Sequence, residues 1–113
     1  MLKGSCDCGA LHIELDQPPE DVTDCNCGIC RRYGARWSYF NPAQVRILPP
    51  EGATTIHLRA KRGLEFHFCT KCGCVTHWAA RYTGYPRMGV NMRMFAPEIL
   101  AALKVELCDA ASW

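Results

Sequence analysis

The 113-residue chain has no apolar run that approaches a membrane span. Its N-terminus, MLKGSCDCGALHIELD, has neither a hydrophobic signal core nor a cleavage pattern, so secretion is not implied. Low-complexity tracts and repeats at solenoid periods are missing too. Charge of one sign is not in excess: 13 Lys and Arg against 11 Asp and Glu give a formal +2, without a basic stripe. That balance argues against a nucleic-acid binder. The chain reads as one soluble, cytoplasmic domain, residues 1–113, without membrane association.

Cysteine is what the chain has in abundance. Nine of them make about 8% of the sequence, near the level of a disulfide or metal scaffold. They fall into 6-CDC-8, 25-CNCGIC-30 and 69-CTKC-72, with Cys74 just behind the third group and Cys108 apart. Tight C-x-C and C-x-x-C pairs in an intracellular chain read as metal-binding or redox-active. A domain of this length buries only a modest core, so metal staples would add useful stability. Zinc takes four ligands in a tetrahedron, and a C-x-x-C turn offers two on one side.

Between the cysteines the pattern is mainly β. Leu11–Leu15, 35–40, 44–48, 54–60, 64–68, 75–80 and 87–94 alternate or carry strand-forming residues. The turn residues Asn41, Pro42 and Ala43 predict a hairpin between the second and third of these, and Lys61, Arg62 and Gly63 another between the fourth and fifth. The segment 16–24 reads as a proline-rich acidic loop. One helix is predicted at 96–103, where Pro97 suits the first turn and Ile99, Leu100 and Leu103 share a face. A short strand and tail follow.

Spacing alone leaves the cysteine pairing open. Cys6 and Cys8 can join Cys69 and Cys72 in a closed site, leaving Cys25, Cys27 and Cys30 with an open position. Alternatively, Cys74 or a histidine supplies a fourth ligand to the middle cluster, and both sites are structural. Seven thiolates around two zinc ions would move the net charge from +2 to about −1, because metal-bound thiols are deprotonated.

In order, 4-GSCDCGALHIEL-15, 25-CNCGICRRYGA-35, 68-FCTKCG-73 and 108-CDAASW-113 resemble the glutathione-dependent formaldehyde-activating enzyme family, which includes the centromere protein V domain. The resemblance implies a β-tent of small antiparallel sheets stapled by two zincs. It implies a structural zinc on Cys6, Cys8, Cys69 and Cys72, and a catalytic zinc on Cys25, Cys27 and Cys30. The implied reaction joins a small-molecule thiol, glutathione, to an aldehyde, formaldehyde, as a carbon–sulfur lyase run in reverse. Asn26, Gly28 and Cys74 depart from residues frequent in the family.

A free thiol of pKa ~8.5 is only about 3% thiolate at pH 7, so ionisation alone contributes at most about 30-fold. Part of that is returned, because nucleophilicity falls with basicity. Capture and positioning of the thiol must supply the rest. Arg31 and Arg32, directly after Cys30, are candidates to offset thiolate charge and to meet a glutathione carboxylate. Lys61 and Arg62 read as a solvated turn. His12, His57, His67 and His77 read as exposed or core-edge side chains, with His77 the candidate spare ligand or base. Cys74 reads as a small buried apolar residue, and Cys108 as no ligand. Trp37, Tyr39, Phe40, Phe66, Phe68 and Trp78 read as core, some of them walling the open site. Asp109 and Trp113 have no chemical role on this reading. The rival functions are a binding module with two structural zincs and a redox or iron–sulfur protein.

Overall fold

The computed structural model describes residues 1–59 and 63–111. The predicted turn residues Lys61 and Arg62, and the tail residue Trp113, lie outside the described residues.

Among the described residues, ten short strands and two α-helices form in the order β1 (Leu2–Ser5), β2 (His12–Leu15), β3 (Asp21–Cys25), α1 (Gly28–Tyr33), β4 (Trp37–Phe40), β5 (Val45–Leu48), β6 (Thr54–Arg59), β7 (Leu64–Cys69), β8 (Val75–Ala80), β9 (Met88–Asn91), α2 (Pro97–Ala101) and β10 (Lys104–Cys108). The expected mainly-β architecture with a short C-terminal helix is therefore what the chain adopts. One sheet has the order β1-β2-β5 and the other β10-β3-β4-β9-β8-β7-β6. All pairings are antiparallel except β10 with β3, which run parallel in register from Lys104↔Asp21 to Cys108↔Cys25.

The alternation of side chains separates two cores. Leu11, Ile13 and Leu15 are fully buried between the two sheets, with Val22, Val90 and Met92. Each such aliphatic side chain stabilises the fold by about 1.5–3 kcal/mol. The register Thr23↔Trp37↔Asn91 belongs to the other face of the larger sheet. There Trp37, Phe66 and Trp78 gather with Cys25, Cys27, Cys30 and Ala110. Gly89 is what admits Trp78 to this face: a Cβ at position 89 would collide with the indole Nε1.

Three sequence expectations are corrected. The hairpin between 35–40 and 44–48 does not form, because β5 pairs with β2 and β4 with β3 and β9. Asn41 and Gln44 instead cap a 3-10 turn reciprocally, which sends the chain across to the other sheet. The acidic loop at 16–24 ends in strand β3, and a helix, α1, forms within the middle cysteine cluster.

Candidate metal centre

The four-thiol cluster joins two turns that lie far apart in the chain. Cys6 and Cys8 sit beyond β1 in a turn where the Gly9 N–H donates to the Cys6 carbonyl at 3.1 Å. Cys69 ends β7, and the Gly73 N–H donates to its carbonyl at 2.9 Å. Gly9 and Gly73, each following the second cysteine of its pair, have φ of 76° and 78°. Glycine adopts that left-handed conformation without steric cost, so each turn can fold back on its own cysteines.

The Sγ atoms of Cys6, Cys8, Cys69 and Cys72 all lie within 4.8 Å of one another. Cys6 to Cys8 is 3.7 Å and Cys8 to Cys69 is 3.6 Å. Sulfurs at tetrahedral corners with metal–sulfur bonds of about 2.3 Å stand about 3.8 Å apart, so the spacing fits a zinc-sized ion. Backbone amides point at the sulfurs. The Lys71 N–H donates to Cys69 Sγ at 3.4 Å, and amides at Cys74 and Cys8 pull the Cys72 thiol down to about 6. Cys74 is half-buried beside Cys72, so its thiol belongs to this neighbourhood and not to the middle cluster.

The second cluster is built on a strand end and a helix start. Cys25 closes β3, Cys27 caps α1 and Cys30 lies in its first turn, with Sγ atoms again within 4.8 Å of one another. All three are buried, at 7%, 3% and 7% exposure. The Cys27 sulfur accepts the Cys30 N–H at 3.4 Å, the contact an N-cap oxygen would ordinarily make. Gly34, in the left-handed conformation, closes the far end by donating to the Cys30 carbonyl at 3.0 Å.

This asymmetry grades the thiols. Burial pushes Cys25 up to about 11, and burial also raises Cys30. Burial opposes ionisation of Cys27 too, but the amides of Cys30 and Ile29 and the neighbouring thiols outweigh it, and its pKa is lowered. Cys27 is thus the thiol of this cluster most ready to ionise, as expected at a helix N-terminus.

Around the three thiols stands an aromatic shell. The Trp37 indole N–H donates to Cys30 Sγ at 3.4 Å. Phe66 meets Tyr33 edge-on at 5.5 Å and Trp37 at 5.8 Å between centroids. Tyr39 lies 6.0 Å from Trp78, and the Arg87 guanidinium sits 4.3 Å over the Tyr39 ring. On the other side Asn26 fastens β10 and its continuation: its N–H donates to the Cys108 carbonyl at 3.1 Å, its side-chain amide to Asp109 Oδ1 at 3.0 Å, and its Oδ1 accepts the Ala110 N–H. Asp109, without a role in the sequence reading, thus helps hold the loop that carries Cys25 and Cys27. The parallel register sets Cys108 beside Cys25, although its thiol is not part of the three-thiol group.

Other candidates fall elsewhere. Arg31 is exposed, and Arg32 folds back to donate to the Gly28 carbonyl at 2.7 Å. His12 and His57 are exposed. His67 and His77 stack at 4.3 Å, and His77 is buried rather than exposed, with its Nδ1 against Thr76. Among the described residues no histidine joins either cluster. Trp37, Phe40, Phe66 and Trp78 are buried as expected, Phe68 is half-buried, and Tyr39 is 36% exposed. No helix of the described residues is long and apolar enough to cross a membrane.

Residues 1–105 match the profile of the family described as glutathione-dependent formaldehyde-activating enzyme. Over 81 residues the chain is 31% identical to a Halomonas elongata protein that carries the same designation in its name. That alignment covers 64% of this chain and 52% of the relative, so the chain spans about half the relative's length. The fold is also similar to that of a Rhodobacter sphaeroides protein solved as a structural-genomics target. The TM-score is 0.74 at 29% identity, covering 93% of this chain and all (100%) of that one.

Proposed function

The chain belongs to the glutathione-dependent formaldehyde-activating enzyme family, and on that premise we propose that residues 1–113 act as one zinc domain with carbon–sulfur lyase-type activity. Its substrates are a small thiol and an aldehyde, with glutathione and formaldehyde as the pair. The observation that carries this reading is the inequality of the two clusters. One has four thiols near tetrahedral spacing; the other has three, with no fourth described Cys, His, Asp or Glu in its group. Four thiols suit a closed structural zinc, whereas three leave a position for an incoming ligand.

Zinc held by Cys25, Cys27 and Cys30 would supply charge that keeps an incoming thiol ionised, and a point at which its sulfur is held. The chain's own groups supply the surroundings. The Trp37 N–H and the amides at the start of α1 draw off negative charge from Cys30 and Cys27. Tyr33, Trp37 and Phe66 pack together beside the thiols and exclude water from one side. The sulfur lone pair forms the new C–S bond, the carbonyl π pair moves to oxygen, and that oxygen takes a proton from water. The product is S-(hydroxymethyl)glutathione. Arg31 and Arg32 lie one turn from the thiolates and offset their charge. A cytoplasmic setting, where glutathione is plentiful and thiols stay reduced, suits both the substrate and the free cysteines.

The test combines metal analysis on anaerobically purified protein with NMR of labelled formaldehyde and glutathione. Two zincs per chain, and adduct formation faster than without protein, support the enzyme. Two zincs with no acceleration and no effect of glutathione on either metal would instead favour a binding module with both zincs structural. The observation on that side is Cys108, beside Cys25, as a potential fourth ligand.

A further inference from the structure

The aromatic face beside the three thiols has a cation at its far end. On β4, Trp37 and Tyr39 share one face, and opposite them on β9 stand Asn91 and Gly89. Arg87 lies just before β9, two residues from Gly89. Its guanidinium leans back 4.3 Å over the Tyr39 ring. The Tyr39 ring lies 6.0 Å from Trp78, which gathers with Cys25, Cys27 and Cys30 on this face. Trp37, at the near end, touches Cys30 through its N–H. Trp37 and Tyr39 thus mark a track along one sheet face from the thiols to Arg87.

Arg87 has no carboxylate partner among the described residues, whereas Arg36, Arg46 and Arg81 each have one. Stacking on Tyr39 fixes the plane of the guanidinium and leaves its N–H edge available to a ligand. With strand residues rising about 3.3 Å each, the track from the thiols to Arg87 spans on the order of 10 Å. That length suits a thiol-bearing acid of about tripeptide size and exceeds a two-carbon thiol.

We propose that Arg87, held on Tyr39, is the anchor for a carboxylate of the thiol substrate, whose sulfur is bound at Cys25, Cys27 and Cys30. This rests on the enzyme reading above and names the residue that selects a carboxylated, peptide-sized thiol over a small neutral one. Arg87 contacts substrate away from the reacting atoms, so it governs binding and not the bond-forming step.

The experiment is calorimetric titration of the zinc-loaded protein and its Arg87→Gln variant with glutathione, with glutathione esterified at both carboxylates, and with 2-mercaptoethanol. The expected result is roughly tenfold weaker glutathione binding by the variant, as for loss of one charge-assisted contact at a half-open site. The diester and 2-mercaptoethanol should bind both proteins equally, and Arg87→Lys should recover part of the loss. If both proteins bind 2-mercaptoethanol, and glutathione is held equally by the two, the anchor is wrong and the open thiol site stands. If neither protein binds any thiol, the open-site reading falls and the anchor falls with it. Matching circular dichroism spectra and zinc content exclude a folding effect.

Discussion

The indole Nε1 of Trp37 donates to the sulfur of Cys30 across 3.4 Å, inside a cluster where both residues are buried. A donor fixed on a sulfur that holds a metal orients it and withdraws charge, and if Cys30 is such a ligand the loss of this contact would typically cost about 10–100-fold in metal affinity. Trp37→Phe keeps the ring but removes the N–H. The variant should fold, keep one tightly held zinc and release the other about 10–100-fold more readily to a competing chelator. Equal retention of both metals would show that the contact is packing alone.

The two clusters should fail differently. Cys69→Ser removes a thiol from the group that brings residues 6–8 to 69–72, where a structural zinc would contribute about 10 kcal/mol of folding free energy. That is comparable to the whole stability of a small domain, so this variant should be unfolded by circular dichroism. Cys27→Ser should lose about one equivalent of zinc and keep a cooperative melt. Identical behaviour of the two would remove the distinction between a closed and an open site.

Thiol labelling offers a direct count. Of nine cysteines, seven fall in the two groups, leaving Cys74 and Cys108. Alkylation of the zinc-loaded protein, mapped by mass spectrometry, should modify those two first and all nine only after chelation and denaturation. Rapid labelling of Cys8 would be the adverse outcome, because Cys8 is exposed and only a bound metal would shield its sulfur.

How much of this was legible from the sequence depended on whether the signal was local. The cysteine clusters, the β6–β7 hairpin and α2 each lie within a few residues of their own markers, and all three were readable. Helix α1 was not, because its cap is a sulfur and its six residues, GICRRY, have no apolar period. Strand β3 hid behind Pro18 and Pro19, and its identity depends on partners at Trp37 and Lys104–Cys108. The missed hairpin had a visible warning in Asn41 and Gln44, which read equally well as a capping box. The roles of Asn26 and Trp37 come from contacts with residues 108–110 and with Cys30, which no local pattern encodes.

Acid should act through the buried imidazole of His77. Burial, with a smaller push from the stacked His67, lowers its pKa from 6.5 to about 3. The unfolded chain therefore binds the proton more readily than the folded one. The resulting stability is fully present above pH 6.5 and is lost as pH falls toward about 3. At pH 5 the loss is about 2 kcal/mol. Denaturant melts of the protein and of His77→Gln, at pH 7 and pH 5, should show the wild-type advantage shrinking by about that amount. Comparing the two proteins cancels acid effects on the cysteine sites. A pH-independent difference would mean that His77 is not protonated on unfolding.

The parallel pairing of β10 with β3 gives the molecule an order of assembly. Strands β6 to β9 are joined by short connections, and β3 meets β4 nearby at Thr23↔Trp37, whereas the other edge of β3 takes a partner some eighty residues later. The three-thiol cluster lies at the end of that late pair, with Asn26 holding the far segment in place. Its setting therefore depends on contacts between residues distant in the chain. In hydrogen exchange, the amides of β3 and β10 should open in smaller fluctuations than those of β7 and β8.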